Sequence, residues 1–217
     1  MSLRGASYQR IEAAAAGAGL IVMGALNPED EIGTLILLGA GPAFWPVFAA
    51  SPEASDRQPD PVDRWSLRVI GALAGDVGAQ AVFPFGGPPY APFIRWAEAS
   101  GRAFKSPVGM LVHDTVGLMI SYRGALLLPG RIAFPAATGS SPCASCADKP
   151  CTTACPVGAL RAGQPYHLEA CHSYLDTAPG RDCMENGCAA RRACPVSAGA
   201  GRQAAQSAHH MKAFHPR

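Results

Sequence analysis

The chain has 217 residues, of which 48% are apolar and only 16% charged, with a formal net charge of +2. That length fits one large domain, or one domain with a small appendage, and enough apolar side chains to bury a substantial core. So small a net charge gives no bulk drive toward nucleic acid or an anionic membrane, and no run reaches the roughly 20 uninterrupted apolar residues of a membrane span. A small-molecule or redox protein remains.

Residues Tyr8 to Ala18 read as a helix and Leu20 to Leu26 as a short buried strand. The alanine-rich stretch Ile11 to Leu26 is not expected to be a signal peptide, because Glu12, scattered glycines and the lack of a basic start interrupt that pattern. A second strand, Thr34 to Leu38, ends at Gly39-Ala-Gly41-Pro42, which reads as a structural turn and not a phosphate loop, since the third glycine of a dinucleotide fingerprint is missing. Pro42 to Ala50 reads as a short helix, Ser51 to Pro61 as a polar loop, and Val62 to Leu73 as a helix with one apolar face. Then follow a strand at Ala81 to Phe85, a helix at Pro92 to Ser100 and strands at Val108 to His113 and Leu118 to Leu128. Alternating helices and strands predict an α/β or α+β sandwich over residues 1–135, with a separate C-terminal domain over 136–217.

Every cysteine lies in that C-terminal part. One run is Cys143-x2-Cys146-x4-Cys151-x3-Cys155-Pro156, a second is Cys183-x4-Cys188-x5-Cys194-Pro195, and Cys171 stands between them. A cubane [4Fe-4S] cluster needs four convergent thiolates, commonly three from a short run and one from a distant Cys-Pro. Eight thiols make two such sets with none left over, so two [4Fe-4S] clusters and electron transfer are expected. Each proline suits the first turn of a helix starting just after its cysteine, as at Pro156 to Arg161, with free amides facing an anionic cluster. The competing accounts are two zinc sites of four cysteine ligands each, which favour paired Cys-x2-Cys knuckles where the chain has one, and a disulfide framework, which suits smaller secreted chains. Thiol chemistry of this kind wants a reducing compartment, so a cytoplasmic location is expected.

The order of these features resembles the corrinoid-dependent reductases typified by epoxyqueuosine reductase, together with the cobalamin-processing decyanases. The resemblance lies in the opening Ile11 to Leu26, the block Gly109 to Leu128, the first cysteine run and Cys171-His-Ser-Tyr-Leu175 ahead of the last three cysteines. It implies a nitroreductase-like fold joined to a ferredoxin-like two-cluster domain. It also implies crossed ligand sets, with Cys143, Cys146 and Cys151 sharing a cluster with Cys194, and Cys155 joining Cys171, Cys183 and Cys188. His113, Tyr122 and Arg123 fall where those enzymes face their corrinoid, so cobalamin is the organic cofactor implied. Where the family carries Asp-Thr-Ala-Pro, with its proton-donating aspartate, this chain has Pro89-Tyr90-Ala91-Pro92. The sequence has no room for the helical-repeat extension that grips transfer RNA. Epoxyqueuosine reduction is therefore not expected, and no catalytic residue is assigned.

Two functional classes follow. One is a reductase whose clusters deliver electrons to a corrinoid or another acceptor in the N-terminal domain; the other is a ferredoxin-type carrier docking a redox donor or acceptor protein. Phe83, Phe85, Tyr90, Met119 and Tyr122 are candidate linings for a cofactor cleft, although Tyr90 reads more simply as a core residue. Lys149 and His172 adjoin cluster ligands and are candidates for tuning them. The histidine-bearing tail, His209 to His215, is expected to be disordered.

Overall fold

The computed structural model describes residues 6–29, 32–137 and 139–216. In chain order the elements are α1 (Tyr8–Gly17), β1 (Leu20–Leu26), β2 (Leu35–Ala40), α2 (Phe44–Ala49), α3 (Pro52–Ser55), α4 (Pro61–Val77), β3 (Gln80–Val82), α5 (Phe93–Ala99), β4 (Ala103–Lys105), β5 (Leu111–His113) and β6 (Tyr122–Leu127). The cysteine region adds α6 (Leu168–Leu175), α7 (Arg181–Asn186), α8 (Ala189–Ala193) and α9 (Ala204–Phe214), with 3-10 turns at Pro150–Thr152 and Pro195–Ala200. The protein is thus mixed α+β with small sheets. Among the described residues no helix is long and apolar enough to cross a membrane.

Two compact units are formed, and neither is a continuous stretch. The first comprises residues 1–102 and 121–139, the second 103–120 and 140–217. The boundary expected near residue 135 falls close to the last crossing, but the hairpin β4–β5 leaves the sheet unit and belongs with the cysteines.

In the first unit the sheet order is β1-β2-β6-β3, and every pairing is antiparallel. Alternation of helices and strands in the sequence leaves α/β open, but parallel pairing needs a crossover between neighbouring strands, and β1 and β2 instead pair directly through a short connection. All six residues of β2 are buried, as a strand with both faces covered requires. One face of the sheet carries Leu20, Val22, Ile36, Leu38 and Leu126, packed with Ile11 of α1, Phe44 and Phe48 of α2, and Trp65 and Ile70 of α4. Trp65 is 1% exposed and meets the Phe44 ring edge-on at 5.2 Å. Each such large buried side chain contributes about 1.5–3 kcal/mol, so this unit has a core of its own. On the other face Met23, Leu35 and Leu37 are also buried, with α5 against β1. Gly39 sits in β2 beside a register irregularity, where a Cβ would come within 2.9 Å of the Ser121 carbonyl oxygen, so its glycine serves strand packing.

Several expected elements change. The loop at 51–61 contains α3, whose Glu53 accepts from Arg68 of α4 through Nε at 2.5 Å and Nη2 at 2.9 Å. The strand expected from Leu118 starts at Tyr122, because Gly117 closes a tight turn with His113 first, N–H to O=C in both directions at 2.9 and 3.0 Å. Pro156 to Arg161 is a chain of turns and not a helix, whereas Pro195 does open a helical turn. The tail is ordered as α9, and His215 is 8% exposed. Tyr90 is not a core residue; it is 66% exposed.

Candidate metal centre

All eight cysteines are free thiols. They sort into two groups that cut across the two sequence runs. Cys143, Cys146, Cys151 and Cys194 line one cavity of about 370 Å³. Burial and the neighbouring Cys194 and Cys146 push the Cys143 thiol up, against hydrogen bonding from Ser141; burial, then Cys143, Cys194 and Cys146, push Cys151 up. In the second group, Cys171 is raised by burial and by Cys188, Cys155 and Cys183, and Cys183 by burial and Cys188. Each set takes three members from one run or its neighbour and one from the other run.

The local folding that brings them together is legible. Cys151 lies in the 3-10 turn opened by Pro150, whose cap Lys149 has a left-handed backbone (φ 41°) and offers its carbonyl to Thr152 N–H at 3.0 Å. Cys194 precedes the 3-10 turn at Pro195, and its carbonyl accepts from Ser197 N–H at 2.9 Å. Cys171 is in α6, whose first turn is capped by His167 Nδ1 accepting from Ala170 N–H at 3.2 Å. Cys183 is in α7, and Cys188 caps α8. Cys143, Cys155, Cys188 and Cys194 pack on an apolar cluster of Val108, Val112, Leu118, Cys151, Leu160 and Ala190. The cavity wall facing the first group is Ser106, Pro107, Val112 and Leu118, all from 103–120.

Among the described residues no three His, Cys, Asp or Glu side chains stand close enough to hold a single metal ion. Tetrahedral zinc with Zn–S of about 2.3 Å puts its sulfurs only about 3.8 Å apart; a cubane, with four irons and four sulfides between its ligands, spreads them further. Four thiols lining one cavity are the type and number of donors that a cubane takes. Burial first, then neighbouring thiols, disfavours ionisation of Cys143, Cys151, Cys171 and Cys183, and a cationic metal core would favour the thiolates instead. Lys149 lines the same cavity, and its charge opposes the rise at Cys143.

Around the second group, Tyr166 hydrogen-bonds Cys171, and burial first, then that bond, drives the phenol far above its ordinary value. His172 bonds His215, Nδ1 to Nδ1 at 2.7 Å, and His215 Nε2 meets Asp176 Oδ1 at 2.9 Å. The consistent tautomers have His215 Nε2–H donating to the carboxylate and its Nδ1 accepting from His172. Sequence reading had no means of finding this chain, since His215 is 43 residues from His172 and 39 from Asp176.

The three residues expected to face a corrinoid divide between the two units. His113 is in the second unit, fully buried, with Nδ1 accepting from Thr115 N–H at 3.1 Å and beside Asp114 Oδ1 at 3.1 Å. Tyr122 and Arg123 are in the first unit. Tyr122 is buried, its ring 6.2 Å from that of Phe93. Arg123 donates from Nε to the Tyr122 carbonyl at 2.9 Å and from Nη1 to Asp63 Oδ1 at 3.2 Å; burial lowers its pKa and Asp63 opposes the fall. Of the candidate cleft residues, Phe83 packs on the sheet core and against Phe85, Met119 is buried in the second unit, and Tyr90 is exposed. No family model matches the chain, and no curated protein matches it.

Proposed function

We propose that the protein transfers electrons through two [4Fe-4S] clusters, one held by Cys143, Cys146, Cys151 and Cys194, the other by Cys155, Cys171, Cys183 and Cys188. The observation that carries this is the sorting of eight thiols into two sets of four across both sequence runs, with the first set around one cavity. Bound clusters would supply one-electron chemistry. The chain's own part is to present the thiolates, to exclude water with Val112, Leu118 and Pro107, and to place the Lys149 charge beside the first set. The interleaved sets staple the two runs to each other and favour exchange between the two centres. As the likeness to corrinoid-dependent reductases implies, the same reading makes the protein a reductase feeding a corrinoid or another acceptor, with a redox protein as partner in a reducing compartment such as the cytoplasm.

Anaerobically reconstituted protein is expected to carry about eight iron and eight sulfide per chain. Cys194→Ala and Cys143→Ala are expected to remove the same paramagnetic signal, and Cys183→Ala the other. Zinc without sulfide, or a Cys194→Ala spectrum that matches Cys183→Ala, would overturn the assignment. Cobalamin titration followed by its visible spectrum tests the acceptor: a shift toward the base-off form supports a corrinoid, and none in large excess favours a protein acceptor.

A further inference from the structure

The segment 103–120 lies far from the cysteines in sequence, yet it joins their unit and walls their cavity. Its turn is locked onto the helical turn that follows Cys194. Leu118 N–H donates to Ser197 Oγ at 3.0 Å, and Ser197 is itself bonded back to the Cys194 carbonyl at 2.9 Å. Gly117 has φ +57°, and a Cβ on it would come within 2.8 Å of Ser197 Cα. From the opposite side, a Cβ on Gly199 would collide with the Thr115 carbonyl. Arg202 Nη2 donates to the Met119 carbonyl at 2.9 Å. Ser197 and Leu118 are 6% and 2% exposed, so this contact is dry and closely fitted. Since Cys194 is the ligand of its set that comes from the far run, its placement depends on whatever fixes the 195–200 turn.

We propose that residues 103–120 are a positioning clamp for Cys194 and wall the cavity of the first cluster, with Gly117 and Ser197 as the paired contact and Val112 as the cavity-facing apolar cover. This rests on the two-cluster assignment. A side chain at Gly117 pushes directly on the Ser197 backbone, whereas Cys155, Cys171, Cys183 and Cys188 take no part in that contact.

The test uses the full chain, reconstituted anaerobically beside the unsubstituted protein. Gly117→Ala is expected to lower iron from about eight to about four per chain, as loss of one four-iron cluster requires, and to remove the signal that Cys143→Ala removes. Val112→Thr is nearly isosteric but brings a hydroxyl dipole to the cavity wall. In that variant, with both clusters loaded, a redox titration followed by paramagnetic resonance is expected to show the first cluster's potential moved upward by more than the other's, because Val112 lines the first set's cavity and a polar wall favours the more negative reduced state. Retention of eight iron and both signals in Gly117→Ala, loss of both clusters together, or a Val112→Thr protein in which neither potential moves or both move equally would overturn the clamp. If the unsubstituted protein itself takes up no iron, the two-cluster assignment fails instead.

Discussion

Arg123 illustrates how a single residue acquires its role from its partners. In the sequence it follows Tyr122 in the block that resembles a corrinoid-facing strand. In the folded chain its side chain is 14% exposed, and the guanidinium is divided between a carbonyl and the Asp63 carboxylate of α4. A partly buried, hydrogen-bonded ion pair of this kind is costly to break from one side. Arg123→Met is therefore expected to lower unfolding stability by about 1–2 kcal/mol in denaturant titration, while iron content stays at the unsubstituted level. A fall in iron with unchanged stability would instead tie Arg123 to the metal region. The cysteines gave a clearer signal, because residue type and spacing alone restrict the chemistry. Their grouping did not come from spacing; it required the fold, or a resemblance to proteins where it is known.

Between elements, the clasp of α3 on α4 carries a pH dependence with a definite sign. The Arg68 hydrogen bond, acting against burial, brings the Glu53 carboxyl down from 4.5 to about 2. A carboxylate with a depressed folded-state value contributes stability that is fully present above its unfolded value and is lost as pH falls through the folded one. Arg68 is half exposed, so the contribution is small, about 0.5–1 kcal/mol. Arg68→Ala is expected to destabilise by that amount at pH 7 and by progressively less between pH 4.5 and about 2, and a constant difference across that range would refute the clasp. The sequence concealed α3 because Ser51 to Pro61 has the prolines and polar residues of a loop; so short a helix is stabilised by tertiary partners, Arg68 on Glu53 and Arg64 on Asp56. Long periodic segments such as α1, β1 and α4 were legible, because hydrophobic period and burial agree there. Strand direction was not. The same alternation of helices and strands is compatible with parallel or antiparallel pairing, and the decision is made by which strands meet.

At the scale of the whole molecule, the chain passes between its two units after residues 102, 120 and 139. A boundary drawn from composition therefore misses the β4–β5 hairpin, which reads as a continuation of the sheet domain but shares its core with the cysteines. The two units differ in what holds them. The first has Trp65, Phe44, Ile36 and Leu38 in an extended apolar core, while the second has a smaller apolar cluster around Val112 and Leu118 and includes, beside α6 and α9, the short helices α7 and α8, six and five residues long. Helices of that length do not persist by themselves, and in metal-dependent folds the free energy of ligation is folding free energy. On the two-cluster proposal, stripping the clusters is thus expected to loosen one unit and spare the other. Hydrogen exchange on cluster-loaded and cluster-free protein should show amides of 111–118 and 181–200 losing protection together, while those of 35–38 keep theirs. Were 111–118 to stay protected with the sheet after cluster removal, the hairpin would belong to the first unit, and its role as a clamp on Cys194 would fall with that result.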